Sequence, residues 1–260
     1  MKKIRSIVPG TKVCCKLFRY IYLYSVLIIL CTAFPASLEA DATVNKKFVY
    51  HVYWTGIKAG QAVLYYRSTP DGIVIKTHAT SAEWLSMFYK VDDVAQSIIY
   101  PDGHPKKFIL KVRQGRHKRD KITYFERSTD NKPQKIVYHN IRKDEIVEFY
   151  FETPAYDLLS AFYEMTKWNL NIGQSSYIHI FDNKKHWNME VQVLRKERIR
   201  VPAGKFDTIV AKPIVKSEGI FPKIGDITIW ATDDDKKLPV MLKSKATIGY
   251  FKAVLVEGDY

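Results

Sequence analysis

The sequence contains few residues whose type and spacing would support covalent catalysis. A serine nucleophile is typically presented by a G-x-S-x-G turn, and the 260 residues contain no such turn. Ser160 lies instead in the phrase Asp157-Leu158-Leu159-Ser160-Ala161, whose helical spacing predicts a packing role for the hydroxyl. Two acidic residues that act on a glycan would leave no linear motif, so a glycan-acting enzyme stays open as a third hypothesis. We expect a non-enzymatic protein with no catalytic residue and no cofactor.

The histidine and acidic residues lack the spacing of metal ligands. The seven histidines are dispersed, and none belongs to an H-E-x-x-H pattern. The densest run of carboxylates is Asp233-Asp234-Asp235, and oxygen ligands suit hard cations such as Ca²⁺. This run lacks the alternating spacing of a calcium loop, and Lys236 and Lys237 directly after it would repel a cation. Because Asp favours turns, we predict a turn there and no metal site.

Basic residues are concentrated in one predicted hairpin. The strand-like segments 107–113 and 121–127 flank a polar tip, and six of the eleven residues 111–121 are Lys or Arg, opposed only by Asp120. The candidate anion-binding residues are Lys111, Arg113, Arg116, Lys118 and Arg119. The alternative is a solvated tip whose charges keep the sheet edge from pairing with another chain. The sequence does not decide between them.

Several large aromatic residues could line a cleft for an apolar ligand. The candidate ligand-binding residues are Trp54, Trp84, Phe88, Phe162 and Trp168, with Tyr163 beside them in sequence. Aromatic residues at core spacing also fill protein interiors. The sequence alone therefore does not distinguish a hollow interior from a filled one.

The first 42 residues have the order of a signal peptide. Six basic residues and no acid precede an uncharged, mostly apolar run over residues 20–32, and small residues follow. We predict cleavage after Ala42, with Ala33, Ala36 and Ala40 as alternative sites, or an uncleaved N-terminal membrane anchor. Either outcome indicates export, to the periplasm of a Gram-negative bacterium. All three cysteines lie in this segment, so the mature chain would have neither a disulfide nor a thiol nucleophile.

The formal net charge of +14 also bears on the partners of an exported protein. In the cell envelope a basic protein meets phospholipid head groups, lipopolysaccharide or acidic polysaccharide. We expect such an anionic component, a lipid or an envelope protein as partner. We do not expect nucleic acid, because the chain is exported and has no known binding module.

The secondary structure that must position these candidate residues can be predicted from the hydrophobic pattern, which has a period of two from residue 46 onward. Apolar and polar residues alternate in about a dozen short runs that turn residues separate, which predicts antiparallel strands. Residues 154–168 have helical spacing instead, with Thr153 as N-cap and Pro154 at the first helical position. A shorter helix is predicted over residues 82–89. We predict one mainly β (α+β) domain over residues 43–260, a large curved antiparallel sheet or half-open barrel that wraps one amphipathic helix.

Four phrases resemble a known family. They are Tyr53-Trp54-Thr55-Gly56-Ile57-Lys58-Ala59-Gly60, Asp157-Leu158-Leu159-Ser160-Ala161, Val201-Pro202-Ala203-Gly204-Lys205-Phe206-Asp207-Thr208, and Ile229-Trp230-Ala231-Thr232-Asp233-Asp234 followed by Leu238-Pro239-Val240. In this order they resemble the bacterial exported family called domain of unknown function 3108, over about residues 45–257. The resemblance implies a bacterial envelope protein with a mainly antiparallel β fold. It implies no activity and no catalytic residue.

Two functions from different classes follow from these features. The first is a non-enzymatic periplasmic or envelope protein that binds a lipid-like ligand in the concave sheet, with the basic hairpin holding an anionic head group. The second is an envelope assembly or scaffold module whose surface contacts a protein partner or acidic polysaccharide.

Overall fold

The computed structural model describes residues 44–127, 132–215, 227–246 and 248–260. The predicted signal peptide, its cleavage sites and the three cysteines therefore lie outside the described residues. The strands are β1 (Val44–Trp54), β2 (Ile57–Thr69), β3 (Gly72–Ser81), β4 (Asp92–Ile99), β5 (Pro105–Gln114), β6 (His117–Phe125), β7 (Gln134–Asn140), β8 (Glu145–Phe151), β9 (Ser175–Asp182), β10 (Lys185–Val201), β11 (Gly204–Val215), β12 (Ile227–Thr232), β13 (Pro239–Lys245) and β14 (Tyr250–Gly258). The helices are α1 (Glu83–Ser86) and α2 (Leu158–Thr166), and a 3-10 turn covers Ile141–Lys143.

All of these strands belong to one antiparallel sheet of 14 strands. Their order is β8-β7-β6-β5-β4-β3-β2-β1-β14-β13-β12-β11-β10-β9, so nearly every neighbour in the sheet is also a neighbour in sequence. The chain ends meet in the middle, where β1 pairs with β14. The prediction of a mainly β, curved antiparallel sheet that wraps one helix is confirmed.

The runs predicted as strands from the sequence do not include residues 92–99, which form β4. Strand β4 begins with two aspartates, which the period-two pattern does not favour at the start of a strand. Asp93 is nevertheless buried, because the Arg113 backbone N–H and the Gln114 amide donate to its carboxylate at 2.8 and 2.6 Å. A buried acid with hydrogen-bond partners can occupy an inward position that a hydrophobic pattern assigns to apolar residues.

The two outer strands, β8 and β9, approach each other without forming a ladder among the described residues. The Phe181 ring lies 5.0 Å from that of Phe149 and 5.9 Å from that of Phe151, centroid to centroid. Between these strands, the Tyr156 N–H donates to the His179 carbonyl, and the Phe181 N–H donates to the Tyr156 carbonyl, each at 2.9 Å. We call these aromatic and backbone contacts the seam. They draw the open sheet into a barrel-like shape.

Helix α2 lies inside the curved sheet and is buried almost all round. Leu159 and Ala161 are fully buried, and Phe162, Tyr163 and Met165 nearly so. Glu164, the one charged residue of the helix, is half-buried and pairs with Lys167 at 2.7 Å, so the helix is apolar on all sides but one and takes an interior position. It begins later than predicted, because Tyr156 is still paired with β9; the N-cap is Asp157 rather than Thr153.

The Asp157 carboxylate attaches this helix to the sheet. Its Oδ1 accepts from the Leu159 and Ser160 N–H groups at 2.9 and 3.1 Å, and its Oδ2 accepts from the Ser97 and Ser160 hydroxyls at 2.8 Å each. Ser97 belongs to β4, so the cap also connects α2 to that strand. Ser160 is fully buried, and its hydroxyl serves this packing role as predicted.

Two glycines of the first family phrase have distinct structural roles. Gly56 has φ +91° in the β1–β2 turn, a region that L-residues rarely adopt. Gly60 lies inside β2, where an added Cβ would stand 2.2 Å from the Thr80 carbonyl oxygen of β3. Both positions therefore require glycine, for different reasons.

Candidate functional site

An apolar pocket lies between helix α2 and strands β10 to β12. Its cavity volume is about 40 Å³, and a larger space of about 470 Å³ around it includes open solvent. The lining residues are Phe162, Met165, Thr166, Leu170, Met189, Val191, Ala211, Pro213, Ile229, Ala231 and Lys237. Almost all are apolar, so the walls favour an apolar occupant.

The lining contains two polar residues, Thr166 in helix α2 and Lys237 in a turn. The Thr166 hydroxyl donates to the Tyr163 carbonyl at 2.7 Å, so its polarity is satisfied inside the helix. Lys237 is half-buried in the turn between β12 and β13, and its backbone N–H donates to Asp234. Of the described residues that line the pocket, Lys237 alone carries a charge. The exposed pocket wall consists of apolar atoms, so Lys237 contributes its aliphatic chain to the lining.

The structure does not gather the predicted aromatic residues into one cleft. Phe162 lines the pocket, and Trp168 packs at the edge of the core. Trp54, at the end of β1, and Trp84, in α1, lie at one end of the sheet, where their indole N–H groups donate to the Ile248 and Lys58 carbonyls at 3.0 and 2.8 Å. Phe88, in the same end of the sheet as Trp84, is 81% exposed. The prediction grouped these residues because spacing along the sequence does not show which parts of the chain meet in the fold.

The predicted basic hairpin is formed by β5 and β6, but it does not line the pocket. Arg113 donates to Asp120 at 2.6 Å, and Arg142 from the β7–β8 turn lies 3.5 Å from the same carboxylate. Arg119 is half-buried, whereas Lys111, Arg116 and Lys118 are exposed. The hairpin thus presents a smaller cationic surface than its composition indicates. Its predicted role at the head group of a ligand in the same cleft has no geometric support.

A group of buried charged residues lies beside the seam. Burial lowers the pKa of Lys121 to about 8, while its ammonium donates to the Asn183 side chain at 2.6 Å. Burial raises the pKa of the neighbouring Asp182, although Lys121 and Arg119 oppose that shift. Burial also raises the pKa of Tyr138 to about 12. Lys121 and Asp182 attract each other, and this attraction connects the middle of β6 to the end of β9.

The acidic run at Asp233, Asp234 and Asp235, possible metal ligands and possible membrane-spanning helices can each be checked within the described segments. Asp233, Asp234 and Asp235 lie in a turn, as predicted, where Asp234 accepts from the Thr232 hydroxyl and two backbone N–H groups. Within the described segments, no group of three or more His, Cys, Asp or Glu residues is arranged to hold a metal ion. No helix in those segments has the length and apolar character needed to cross a bilayer.

The sequence analysis missed most of the pocket. Met189, Val191 and Ile229 are buried residues of ordinary strands, and their alternation is the same whether they face another side chain or a pocket. Only the position of α2 relative to β10–β12 reveals the space. No linear signal could have identified it.

Solved structures with a similar fold are known. A structure described as a beta-barrel-like protein of domain of unknown function DUF1849 from Brucella abortus has a TM-score of 0.59 at 10% identity, with 85% of this chain and 99% of that chain covered. This similarity concerns the fold. A structure from Bacteroides fragilis, described as "a putative exported protein with YmcC-like fold", has a TM-score of 0.37 at 11% identity and covers 88% of this chain and all of that one. A "putative lipoprotein" from Parabacteroides distasonis has a TM-score of 0.37 at 12% identity, with the same coverage.

The sequence comparison with protein families gives a specific result. The search of curated proteins found no match. Residues 49–256 match the model of a family described as "Protein of unknown function (DUF3108)", a range that includes the four phrases noted in the sequence, all elements from β2 to β13, and most of β1 and β14. The chain therefore belongs to the DUF3108 family.

Proposed function

We propose that the protein is a non-enzymatic protein of the bacterial envelope that binds an apolar or amphipathic, lipid-like ligand in the pocket between α2 and β10–β12. The observation that carries this proposal is the composition of the walls. Methionine, aliphatic and aromatic side chains surround the space, and Lys237 adds a single charge. Ligand sites are commonly concave and apolar with a few polar groups that fix orientation.

The size of the pocket limits what it holds. Its cavity volume is only about 40 Å³, because most of the space of about 470 Å³ around it is open to solvent. We infer that it takes the end of an acyl chain or a comparable apolar group, while the rest of the ligand lies across the opening. A head group with negative charge would then be stabilised by the Lys237 ammonium. Export to the periplasm, which the leader predicts, would give the protein access to such molecules.

The test is a native mass spectrum of the protein purified under gentle conditions from cells that express the full chain with its own leader. We expect an excess mass that disappears on denaturation. Ala211 lines the pocket, and Ala211→Phe would place a ring in the space. Lys205→Phe adds the same side chain at an exposed position of the same strand, β11, and is the control.

The two variants give the proposal a clear outcome. The Ala211→Phe protein should lose the excess mass and the binding of an added fluorescent fatty acid, whereas the Lys205→Phe protein should keep both. Equal thermal unfolding of the two variants would show that folding is not the cause. A wild-type protein that neither carries an excess mass nor binds the fatty acid would refute the proposal.

The second candidate, an envelope scaffold module, is favoured by the exposed cations of the β5–β6 hairpin. Charge reversal at Arg116, Lys118 and Arg119 would abolish association with a protein partner or an acidic polysaccharide. Fatty-acid binding in the pocket would not change, because the hairpin contributes no residue to its lining.

A further inference from the structure

One end of the sheet exposes large apolar side chains on its turns. Because the sheet is an antiparallel meander, the β1–β2, β3–β4, β5–β6 and β13–β14 turns all lie at the same end. We call these four turns the rim. Met87 and Phe88, which follow α1, are 77% and 81% exposed, the highest values among the large hydrophobic residues described. Ile57, Trp84 and Ile248 are also exposed there.

The turns of the rim contact one another and form a continuous surface. The Thr55 N–H donates to the Tyr250 carbonyl at 2.8 Å, which links the first turn to the last. The Trp84 indole donates to the Lys58 carbonyl, linking the first turn to the segment that contains α1. The Gly115 N–H donates to the Lys90 carbonyl at 2.8 Å, linking that segment to the basic hairpin.

Contacts of the neighbouring residues fix the backbone of the segment that exposes Met87 and Phe88. Tyr89, directly after Phe88, is buried, and its ring lies so close to Gly115 that an added Cβ would stand 2.9 Å from it. The Ser81 and Ser86 hydroxyls are 2.7 Å apart and close the start of the segment. Met87 and Phe88 therefore point to solvent because the fold places them there.

Exposed cations accompany these apolar residues. Lys58, Lys90, Arg116 and Lys118 lie in or directly beside the rim turns, where Glu83 is the one acid of these four turns; the β7–β8 turn of the same end adds Asp144 together with Arg142 and Lys143. The described turns and connections of the opposite end contain exposed cations at Arg127, Lys132 and Lys167, beside five exposed aspartates: Asp71, Asp102, Asp233, Asp234 and Asp235. The two ends of the sheet thus differ in their residues, and apolar and basic side chains lie together at the rim.

We propose that the rim docks on the surface of an anionic lipid bilayer, with Met87 and Phe88 inserted at the level of the head groups. Apolar side chains that enter the boundary between head groups and acyl chains gain by leaving water. Lysine and arginine beside them would then lie at the level of the lipid phosphates, where each is attracted to an anionic surface. The indole of Trp84 suits the same interface, since its ring is amphipathic.

The arrangement favours a bilayer over a protein partner. The apolar residues occupy separate projecting turns, and cations lie between them, whereas a protein interface typically has a contiguous apolar centre with charges depleted from it. A bilayer needs no matching shape and accepts several projecting side chains at once. This proposal does not depend on ligand binding, because the pocket and the rim share no residue.

The test is flotation of the natively processed protein with vesicles of equimolar phosphatidylcholine and phosphatidylglycerol, compared with vesicles of phosphatidylcholine alone. Two double variants probe the rim: Met87→Ser with Phe88→Ser, and Arg116→Glu with Lys118→Glu. A third, Lys106→Glu with Lys205→Glu, makes the same change in net charge in exposed residues at the opposite end. All four proteins should unfold at the same temperature, because the substituted side chains are exposed.

We expect the wild type to bind the anionic vesicles and to bind neutral ones more weakly. Removal of Met87 and Phe88 should weaken binding about a hundredfold, and reversal of Arg116 and Lys118 at least about thirtyfold. The opposite-end variant should bind like the wild type. A wild type that does not float with anionic vesicles would refute the proposal and turn the search to a protein partner. Equal losses in the two charge variants would also refute it, since net charge alone would then explain binding.

Discussion

Replacement of Asp157 tests whether one buried carboxylate fixes the only buried helix of the described residues. Asp157→Ala removes the N-cap of α2, which costs about 1–2 kcal/mol. It also leaves the buried Ser97 hydroxyl without its acceptor at 2.8 Å, which costs about 1–3 kcal/mol. Ser160 retains a second acceptor, the Asp157 carbonyl at 3.1 Å. We expect a total loss of about 3 kcal/mol, which corresponds to a decrease in Tm of about 6–12 °C for a domain of this size.

The isosteric variant separates the hydrogen bonds from the charge. In Asp157→Asn the amide oxygen still accepts from the Leu159 and Ser160 N–H groups, and the amide NH₂ can donate to the Ser97 and Ser160 hydroxyls, which rotate to accept. The variant also avoids burial of a carboxylate, so its stability at neutral pH should lie within about 1 kcal/mol of the wild type.

The pH dependence supplies a second readout of the same residue. Burial raises the pKa of Asp157 above its ordinary value of 3.8, despite the hydrogen bonds that oppose the shift. Between these two values the folded state binds more protons than the unfolded state, so wild-type stability falls as pH rises through the window. Asp157→Asn lacks this titration, and its stability relative to the wild type should therefore improve from low pH towards neutral pH.

The assay is urea unfolding followed by circular dichroism, with equal m-values required for each comparison. The reasoning is wrong if Asp157→Ala unfolds within about 1 kcal/mol of the wild type, since the cap would then contribute little beyond an ordinary surface residue. It is also wrong if Asp157→Asn is as unstable as Asp157→Ala, because the charge itself would then be required.

Three further predictions concern other parts of the fold. Lys121→Met should remove a pH-dependent rise in the free energy of unfolding, because the wild-type folded state loses its Lys121 proton near pH 8 and the unfolded state near 10.5. This rise is at most about 1.4 kcal/mol per pH unit between pH 8 and 10. Parallel unfolding curves across this range test it. Gly60→Ala should cost about 1–3 kcal/mol, because its Cβ would meet the Thr80 carbonyl, and the decrease in Tm measures this cost. Phe181→Ala should cost about 3–5 kcal/mol and raise hydrogen exchange at β8 and β9 before the rest of the sheet.

The sheet could be predicted from sequence because its signal is local. Alternation within a strand and turn residues between strands are both encoded over a few positions, and a meander joins mainly neighbours. Strand β4 was missed because Asp93 is inward and buried with polar partners from β5. The start of α2 was placed too early because Tyr156 pairs with β9, and such a contact between distant parts of the chain has no local signature.

The candidate sites were harder, since they depend on which surfaces meet. Phe162 was identified as an aromatic of the helix and does line the pocket, but its partners Met189 and Ile229 look like any core residue. Phe88 was expected in a cleft because aromatic residues are mostly buried. Its exposure at the rim follows from Tyr89, the next residue, which takes the buried position against Gly115.

The position of α2 explains why the pocket lies where it does. Within the described residues the helix approaches β4 and β9 most closely, through the Asp157 cap to Ser97 at its start and the Tyr156 pairing just before it. The helix has nine residues. Because it is held close to β4 and β9, its opposite side lies at a distance from β10–β12. Phe162 and Met165 reach only part of the way across, and the space that remains is the pocket. The cap and the pocket are therefore linked: Asp157→Ala should weaken fatty-acid binding, whereas Asp157→Asn should preserve it. Equal binding by the two variants would show that the pocket forms independently of the cap.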